Sequence, residues 1–95
     1  MRRHSVLARL GECVGEMNGL GVQSLYLFGS TARDEASDVD LFLDAEPTSR
    51  FDGFDLVELK AWLEQRLDAK VDLAAREGLH PRLRTAIEGE AVRGF

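Results

Sequence analysis

The sequence has little cysteine and no long apolar run, and each scarcity excludes a class of protein. Its single cysteine, Cys13, cannot form a disulfide within the chain, so a disulfide-stapled fold is excluded. No apolar stretch approaches the roughly 20 residues of a membrane-spanning helix, and the first residues lack the apolar segment of a signal peptide. We therefore expect a cytoplasmic protein with no membrane association, in which Cys13 is buried in a helix core.

Positive charge is also in deficit. The chain carries 12 Lys and Arg against 17 Asp and Glu, for a net charge of −5. Non-specific binding to nucleic acid relies on clustered Lys and Arg, so direct nucleic-acid binding and template-directed polymerisation are not expected. One local basic segment is present, with Arg76, His80, Arg82 and Arg84. It is either a solvated helix face or a surface for an acidic partner or a polyphosphate.

The remaining composition is that of an ordinary globular protein. Of 95 residues, 44% are hydrophobic and 31% are charged, with no repeat, low-complexity tract or linker. A chain of this length is predicted to form one domain, residues 1–95, with one core and no separate substrate-binding module.

Hydrophobic periodicity predicts the elements of this domain. Helical spacing of apolar residues indicates a first helix over 5–18, which Gly19 and Gly21 end. Apolar runs predict strands over 22–28 and 39–44, with a helical turn and a loop at 31–37 between them, and these strands are expected to be neighbours.

The second half of the chain alternates in the same way. After a polar connector at 45–54, Asp55 and Glu58 resemble a capping box that starts a second helix. A third strand is predicted at 70–74, Pro81 introduces a last helix to about residue 88, and 90–95 can add an edge strand. The core face of the second helix is predicted to consist of Leu56, Leu59, Leu63 and Leu67, with Val57 and Trp62 beside it. This order predicts a small α/β or α+β domain, with a mixed sheet of three to four strands and about three to four helices.

Two acids on the second strand are the first candidates for chemistry. Asp38 and Asp40 lie two residues apart, so their carboxylates project from one face of a strand while Val39 and Leu41 point into the core. Paired carboxylates repel each other unless a cation lies between them, and Mg²⁺ suits such a pair because it also accepts substrate phosphate oxygens. The alternative is a pair of ordinary acids on an exposed strand face.

The turn before these acids resembles a binding site for phosphate. Gly29 permits close approach of the backbone to a ligand, Ser30 adds a hydroxyl donor, and Arg33 can present its guanidinium one turn later. The alternative is a Gly-Ser turn that caps a helix, with Arg33 in solvent. If the first two strands are adjacent, this turn lies beside Asp38 and Asp40, so phosphate and metal sites meet.

A third carboxylate completes the candidate site. Asp72 lies on the predicted third strand, and a neighbouring strand can bring its side chain within roughly 5 Å of the Asp pair. Two-metal transferases need a group that holds the second ion and steers the proton of the attacking hydroxyl, which makes Asp72 the candidate for that role. An ordinary strand acid is the alternative.

These residues together resemble a known signature. Gly29-Ser30, Asp38-Val39-Asp40 and Asp72 are similar to the motif of the DNA polymerase beta-like nucleotidyltransferase superfamily. More narrowly, LYLFGSTARDEASDVDLFLD, the helix start at 54–57, KVDL at 70–73 and GLHPRLR at 78–84 resemble the minimal nucleotidyltransferase (MNT) antitoxins that pair with HEPN toxins. The resemblance covers nearly the whole chain and implies the polymerase beta-like fold.

The resemblance implies roles for each matching residue. Gly29 and Ser30 hold the triphosphate, and Arg33 matches the Arg of the family's GSxAR form. Asp38 and Asp40 bind Mg²⁺, with two ions expected, and Asp72 serves as the third acid and metal ligand.

The resemblance also implies an enzyme activity. AMP passes from ATP to a tyrosine hydroxyl of a HEPN ribonuclease toxin, which is thereby neutralised, and a hetero-oligomer with that toxin remains open. Seven residues separate Ser30 from Asp38, fewer than expected in much of this family. An alternative is therefore a non-catalytic antitoxin that neutralises its toxin by stoichiometric binding. Transfer to a small molecule uses the same chemistry, but 95 residues leave little chain for a closed acceptor pocket.

Overall fold

The computed structural model describes residues 3–29, 38–46 and 53–95, which form three helices and a four-stranded sheet. The helices are α1 (Arg3–Gly19), α2 (Gly53–Leu67) and α3 (Pro81–Glu90), and the strands are β1 (Val22–Leu27), β2 (Val39–Ala45), β3 (Val71–Ala75) and β4 (Val92–Arg93). A 3-10 turn, Arg76–Gly78, follows β3. The predicted order and fold class are confirmed. The helical turn predicted at 31–37 lies outside the described residues.

The sheet is mixed and has the strand order β3-β2-β1-β4. Strand β1 pairs antiparallel with β2 on one side and with β4 on the other, while β2 and β3 run parallel. The predicted adjacency of the first two strands and the predicted edge strand are therefore confirmed. The parallel pair is possible because α2 carries the chain back across the sheet between β2 and β3.

Helices α1 and α2 pack on one face of the sheet and form the core with it. Each apolar side chain buried there stabilises the fold by roughly 1.5–3 kcal/mol relative to exposure, so this face holds most of the fold's stability. The free Cys13 is 5% exposed, in agreement with the prediction. The buried residues are Val6, Leu10, Cys13 and Met17 of α1, Leu59, Leu63 and Leu67 of α2, and Val22, Leu25, Leu27, Val39, Leu41, Leu43 and Val71 of the strands.

The start and the outer face of α2 differ from the prediction. The helix begins at Gly53, so Asp55 lies inside its first turn and is not the N-cap of a capping box. A carboxylate there still favours the helix through the positive end of the helix dipole. Val57 is 68% exposed and takes no part in the core, because it lies off the stripe that Leu59 and Leu63 form at a spacing of four residues.

Two helix ends show how local sequence sets the chain path. Helix α1 ends at Gly19, and Gly21 has φ 101°, a left-handed conformation that favours glycine. Helix α3 begins at Pro81 as predicted, and the His80 ring caps it by accepting the N–H of Arg82 at 3.2 Å. It continues two residues past the predicted end. Among the described residues, no helix has the length and apolar character needed to cross a membrane.

Candidate active site

The predicted acids lie on the sheet face that α1 and α2 leave uncovered. Along β2, Val39, Leu41 and Leu43 belong to the core, so alternation directs Asp40 to the opposite face. Asp38 immediately precedes the strand and is exposed, while Asp40 is half-buried. The predicted division between acidic and core-facing residues of this segment is thus seen in the structure.

The register of the parallel strands brings the third acid beside the pair. Asp40 is the direct Cα partner of Asp72 across β2 and β3. Neighbouring strands are roughly 4.8 Å apart, and directly opposed residues share a face, so Asp40 and Asp72 present their carboxylates side by side. Asp72 is exposed to solvent, while its neighbour Val71 is buried.

Asp38, Asp40 and Asp72 form an acidic edge of the sheet, and the Gly29 turn touches it at Asp40. The N–H of Phe28 donates to the carbonyl oxygen of Asp40 at 3.0 Å, which carries the pairing of β1 and β2 up to the turn. Gly29 has φ 60°, and a Cβ at this position would lie 2.6 Å from Oδ2 of Asp40. Only glycine fits at this position without displacement of the Asp40 carboxylate or of the turn. Ser30 and Arg33 lie outside the described residues, so their roles in phosphate binding stay predictions.

The donor set suits a magnesium ion that is completed by its substrate. Among the described residues, no three acidic, histidine or cysteine side chains are gathered into a ready-made metal site. Mg²⁺ does not require one, since it commonly takes one or two protein carboxylates and fills its other positions with water and phosphate oxygens. Asp40 and Asp72, side by side with Asp38 two residues away, offer the hard oxygen donors that it prefers. Metal binding by the three acids stays a prediction.

An aromatic cluster lies on the same face beyond the acids. Tyr26 and Phe42 are cross-strand partners, and their rings stack with centroids 4.9 Å apart. The ring centroids of Phe28 and Phe42 are 5.8 Å apart. Phe42 is 1% exposed although it does not belong to the helix-side core, because this cluster and the Arg76 guanidinium above it exclude water.

Arg76 covers the aromatic cluster on this face of the sheet. Its guanidinium carbon is 5.0 Å from the ring centroids of both Tyr26 and Phe42, and its fork donates to both carboxylate oxygens of Asp44, at 2.8 and 3.0 Å. It also donates to Glu88 of α3. These hydrogen bonds, that with Asp44 first, raise the pKa of Arg76 above its usual range and hold it charged.

The predicted basic segment is therefore not one continuous basic surface. Arg76 lies before α3 and is committed to Asp44 and Glu88, while Arg84 pairs with Glu88 at 3.1 Å one helical turn away. His80 serves as a helix cap. Arg82 is exposed on α3, in agreement with a solvated helix face, so only part of the segment is committed to contacts within the chain.

One contact at the Gly29 turn joins segments that are distant in the sequence. The backbone N–H of Gly29 donates to Oε1 of Glu90, the last residue of α3, at 2.9 Å. The two residues are 61 positions apart, and no local pattern connects them. Asp44, in contrast, had a usable signal, since it continues the alternation of Asp38 and Asp40 along β2.

Comparison with known proteins agrees with this architecture. The nucleotidyltransferase domain family matches residues 7–93. A Methanocaldococcus jannaschii protein provisionally named a protein adenylyltransferase is 37% identical over 76 residues, which cover 75% of this chain and 74% of the relative. A solved structure provisionally named a minimal nucleotidyltransferase superposes with a TM-score of 0.80 at 34% identity, covering 97% of this chain and 95% of the other.

A more distant neighbour comes from a toxin-antitoxin complex. A chain in the structure of a tri-AMPylated Shewanella oneidensis HEPN toxin with its MNT antitoxin has a TM-score of 0.70 at 21% identity, covering 95% of this chain and 71% of that one. At that identity the similarity establishes a shared fold. The family match across most of the chain, with a relative above one-third identity, goes further: this chain belongs to the nucleotidyltransferase domain family and is a nucleotidyl-transfer enzyme.

Proposed function

We propose that this protein is a cytoplasmic, Mg²⁺-dependent adenylyltransferase that transfers AMP from ATP to a tyrosine hydroxyl of a partner HEPN toxin and thereby neutralises it. The observation that carries the proposal is the register of β2 and β3. Asp40 stands opposite Asp72, and the Gly29 turn lies against Asp40, so a carboxylate edge and a backbone N–H that can receive phosphate adjoin on one face.

Each residue has a defined task in the proposed reaction. The Gly29 N–H and the Ser30 hydroxyl receive phosphate oxygens, and the Arg33 guanidinium neutralises part of their charge. Asp38, Asp40 and Asp72 would hold Mg²⁺, which when bound neutralises charge on the triphosphate and the departing pyrophosphate.

The reaction is an in-line displacement at the α-phosphorus. The tyrosine oxygen forms a bond to that phosphorus while the bond to the pyrophosphate oxygen breaks. Asp72, which is exposed to solvent on β3, accepts the proton of the attacking hydroxyl. The products are the tyrosine-AMP ester, pyrophosphate and the proton.

The partner class is supported by the relatives. The related Methanocaldococcus jannaschii protein is provisionally named for transfer to protein, and a neighbour of the same fold was solved with an AMPylated HEPN toxin. The exposure of Asp38 and Asp72 also suits a protein acceptor, because a tyrosine on another protein can reach exposed carboxylates.

The test is transfer of label to the toxin encoded beside this chain. Incubation of both proteins with ATP labelled at the α-phosphate and Mg²⁺ should label the toxin, and mass spectrometry should place AMP on a tyrosine. The Asp38→Ala, Asp40→Ala double variant should give only background label. Glu12→Gln is the matched control, because it removes an exposed acid from α1 and should transfer like the wild type. Equal labelling by the double variant would refute the assignment.

A second candidate is an antitoxin that neutralises by binding alone, and a groove on the helix side favours it. The groove has a volume of about 470 Å³ between the end of α1 and the start of α2. Its apolar floor has acids around it, an arrangement that complements an apolar and basic segment of a partner. The lining residues are Glu16, Leu20, Asp55, Glu58, Leu59 and Trp62.

Neutralisation separates the two candidates. The groove and the acidic edge lie on opposite faces of the sheet, so the Asp38→Ala, Asp40→Ala variant leaves the groove intact. If this variant restores growth of toxin-expressing cells as well as the wild type, binding is sufficient. Transfer is required if the variant still binds the toxin but fails to restore growth.

A further inference from the structure

The contact between Glu90 and Gly29 places a carboxylate where an anionic ligand is expected. Oε1 of Glu90 accepts the Gly29 N–H at 2.9 Å, on the solvent-exposed side of the turn. The same N–H is the described donor of the candidate phosphate site. A carboxylate oxygen and a phosphate oxygen compete for one donor, and their like charges repel each other.

Helix preference does not explain the position of Glu90. It is the last residue of α3, where the helix dipole presents partial negative charge to a carboxylate. An acid at this end is disfavoured, and the hydrogen bond to Gly29 offsets part of that disadvantage. The side chain is therefore held by the turn of the candidate site and not by its own helix.

The end of α3 lies outside the hydrophobic core. Gly89 precedes Glu90, and glycine weakens the last helical turn. Ala91 then leaves the helix with φ −65° and ψ 141°, an extended conformation that leads into β4. None of Gly89, Glu90 and Ala91 belongs to the core, so the Glu90 side chain can leave Gly29 without disturbing it.

We propose that Glu90 is a gating residue of the nucleotide site: its carboxylate occupies the Gly29 N–H until a polyphosphate displaces it. The proposal rests on the proposed function, because it takes the Gly29 turn as the triphosphate site. The gate lowers the affinity of every ligand that uses this N–H by one common factor, the fraction of time that the N–H is open. Ligands that do not use it are unaffected. A charge-assisted hydrogen bond at an exposed site corresponds to a factor of roughly three to ten.

The experiment measures binding and does not depend on transfer. The full chain, labelled with ¹⁵N, is titrated with inorganic tripolyphosphate, ATP and adenosine in the presence of Mg²⁺, and the Gly29 amide signal is followed. Glu90→Gln and Glu90→Ala should bind tripolyphosphate and ATP more tightly than the wild type, roughly threefold to tenfold for both ligands. Adenosine binding should not change. Before titration, the wild-type Gly29 amide proton should resonate further downfield than in the two variants.

Glu12→Gln makes the same change in net charge on α1 and should match the wild type with all three ligands. The gate is overturned if neither Glu90 variant binds polyphosphate more tightly, or if Glu12→Gln shares the gain. If Glu90 had a purely structural role, its replacement would change the affinities for adenosine and for polyphosphate together. An unchanged affinity for adenosine excludes that role. Failure of the proposed function can be distinguished from failure of the gate. In that case the toxin carries no label, while the Glu90 variants still bind polyphosphate more tightly than the wild type.

Discussion

Replacement of Gly29 by alanine tests the contact between the turn and the acidic edge. Gly29 has φ 60°, where an L side chain is disfavoured. The added Cβ would lie 2.6 Å from Oδ2 of Asp40, whereas ordinary contact begins at 3.4 Å. The carboxylate must therefore retreat by about 0.8 Å, or the turn must open by as much.

The two effects predict different losses of stability and of activity. The left-handed conformation costs a non-glycine residue roughly 1–2 kcal/mol, and displacement of the Asp40 carboxylate adds about 1 kcal/mol. We expect Gly29→Ala to lower the free energy of unfolding by roughly 2–3 kcal/mol, which a domain stable by about 5–15 kcal/mol survives. Transfer should fall further, by roughly 100-fold, because a shift of near 1 Å misplaces a reacting group.

Urea unfolding followed by Trp62 fluorescence measures the stability loss, since Trp62 is the only tryptophan and is half-buried. Gly11→Ala is the matched control: Gly11 lies in α1 with nothing within 4 Å of an added Cβ, so the change should stabilise by roughly 0.5–1 kcal/mol. In the Asp40→Ala background the clash is removed and only the backbone strain remains. The loss caused by Gly29→Ala should then fall to about 1–2 kcal/mol.

The comparison of backgrounds decides whether the reasoning holds. If Gly29→Ala destabilises equally with and without the Asp40 carboxylate, the two residues are not in contact as described. If Gly29→Ala has wild-type stability and wild-type transfer, neither backbone strain at position 29 nor a clash of the added Cβ with Asp40 is present.

Two further predictions concern groups outside the acidic edge. Arg76→Lys removes the paired hydrogen bonds to Asp44 and the stacking on Tyr26, so it should lower the free energy of unfolding, measured in urea, by about 1–3 kcal/mol. An unchanged free energy would show that these Arg76 contacts do not stabilise the fold. Burial raises the pKa of the Cys13 thiol, so iodoacetamide should label native Cys13 slowly at pH 8 and rapidly in urea; equal rates would contradict its burial.

Local patterns were enough to predict the strands and the face of each acid. Val39, Leu41 and Leu43 alternate with Asp38, Asp40 and Asp44, and strand geometry alone then separates core from open face. The exact register was beyond such patterns. That Asp40 meets Asp72, and not a residue one position away, depends on how α2 packs and returns the chain, which no local sequence records.

Contacts between distant segments account for what the sequence analysis missed. The sequence groups Arg76 with the basic residues that follow it between His80 and Arg84, yet its partner Asp44 is 32 residues away. The sequence pattern predicts that Glu90 starts an edge strand, yet it ends α3 and reaches Gly29. In both cases the hydrogen-bond partner of a charged side chain is set by the element that the fold brings opposite it.

The position of Asp40 also bears on the short segment between Ser30 and Asp38. Within the described part of the chain, Asp40 is held by the Phe28 N–H on its carbonyl oxygen, by Asp72 opposite it in the parallel ladder, and by Gly29 against its carboxylate. Its neighbours Val39 and Leu41 are 1% and 0% exposed, so the strand cannot shift without opening the core. The position of Asp40 is therefore set by the core and not by the length of the seven-residue segment. We therefore expect the length of this segment to affect transfer through how the phosphates are held and not through displacement of Asp40.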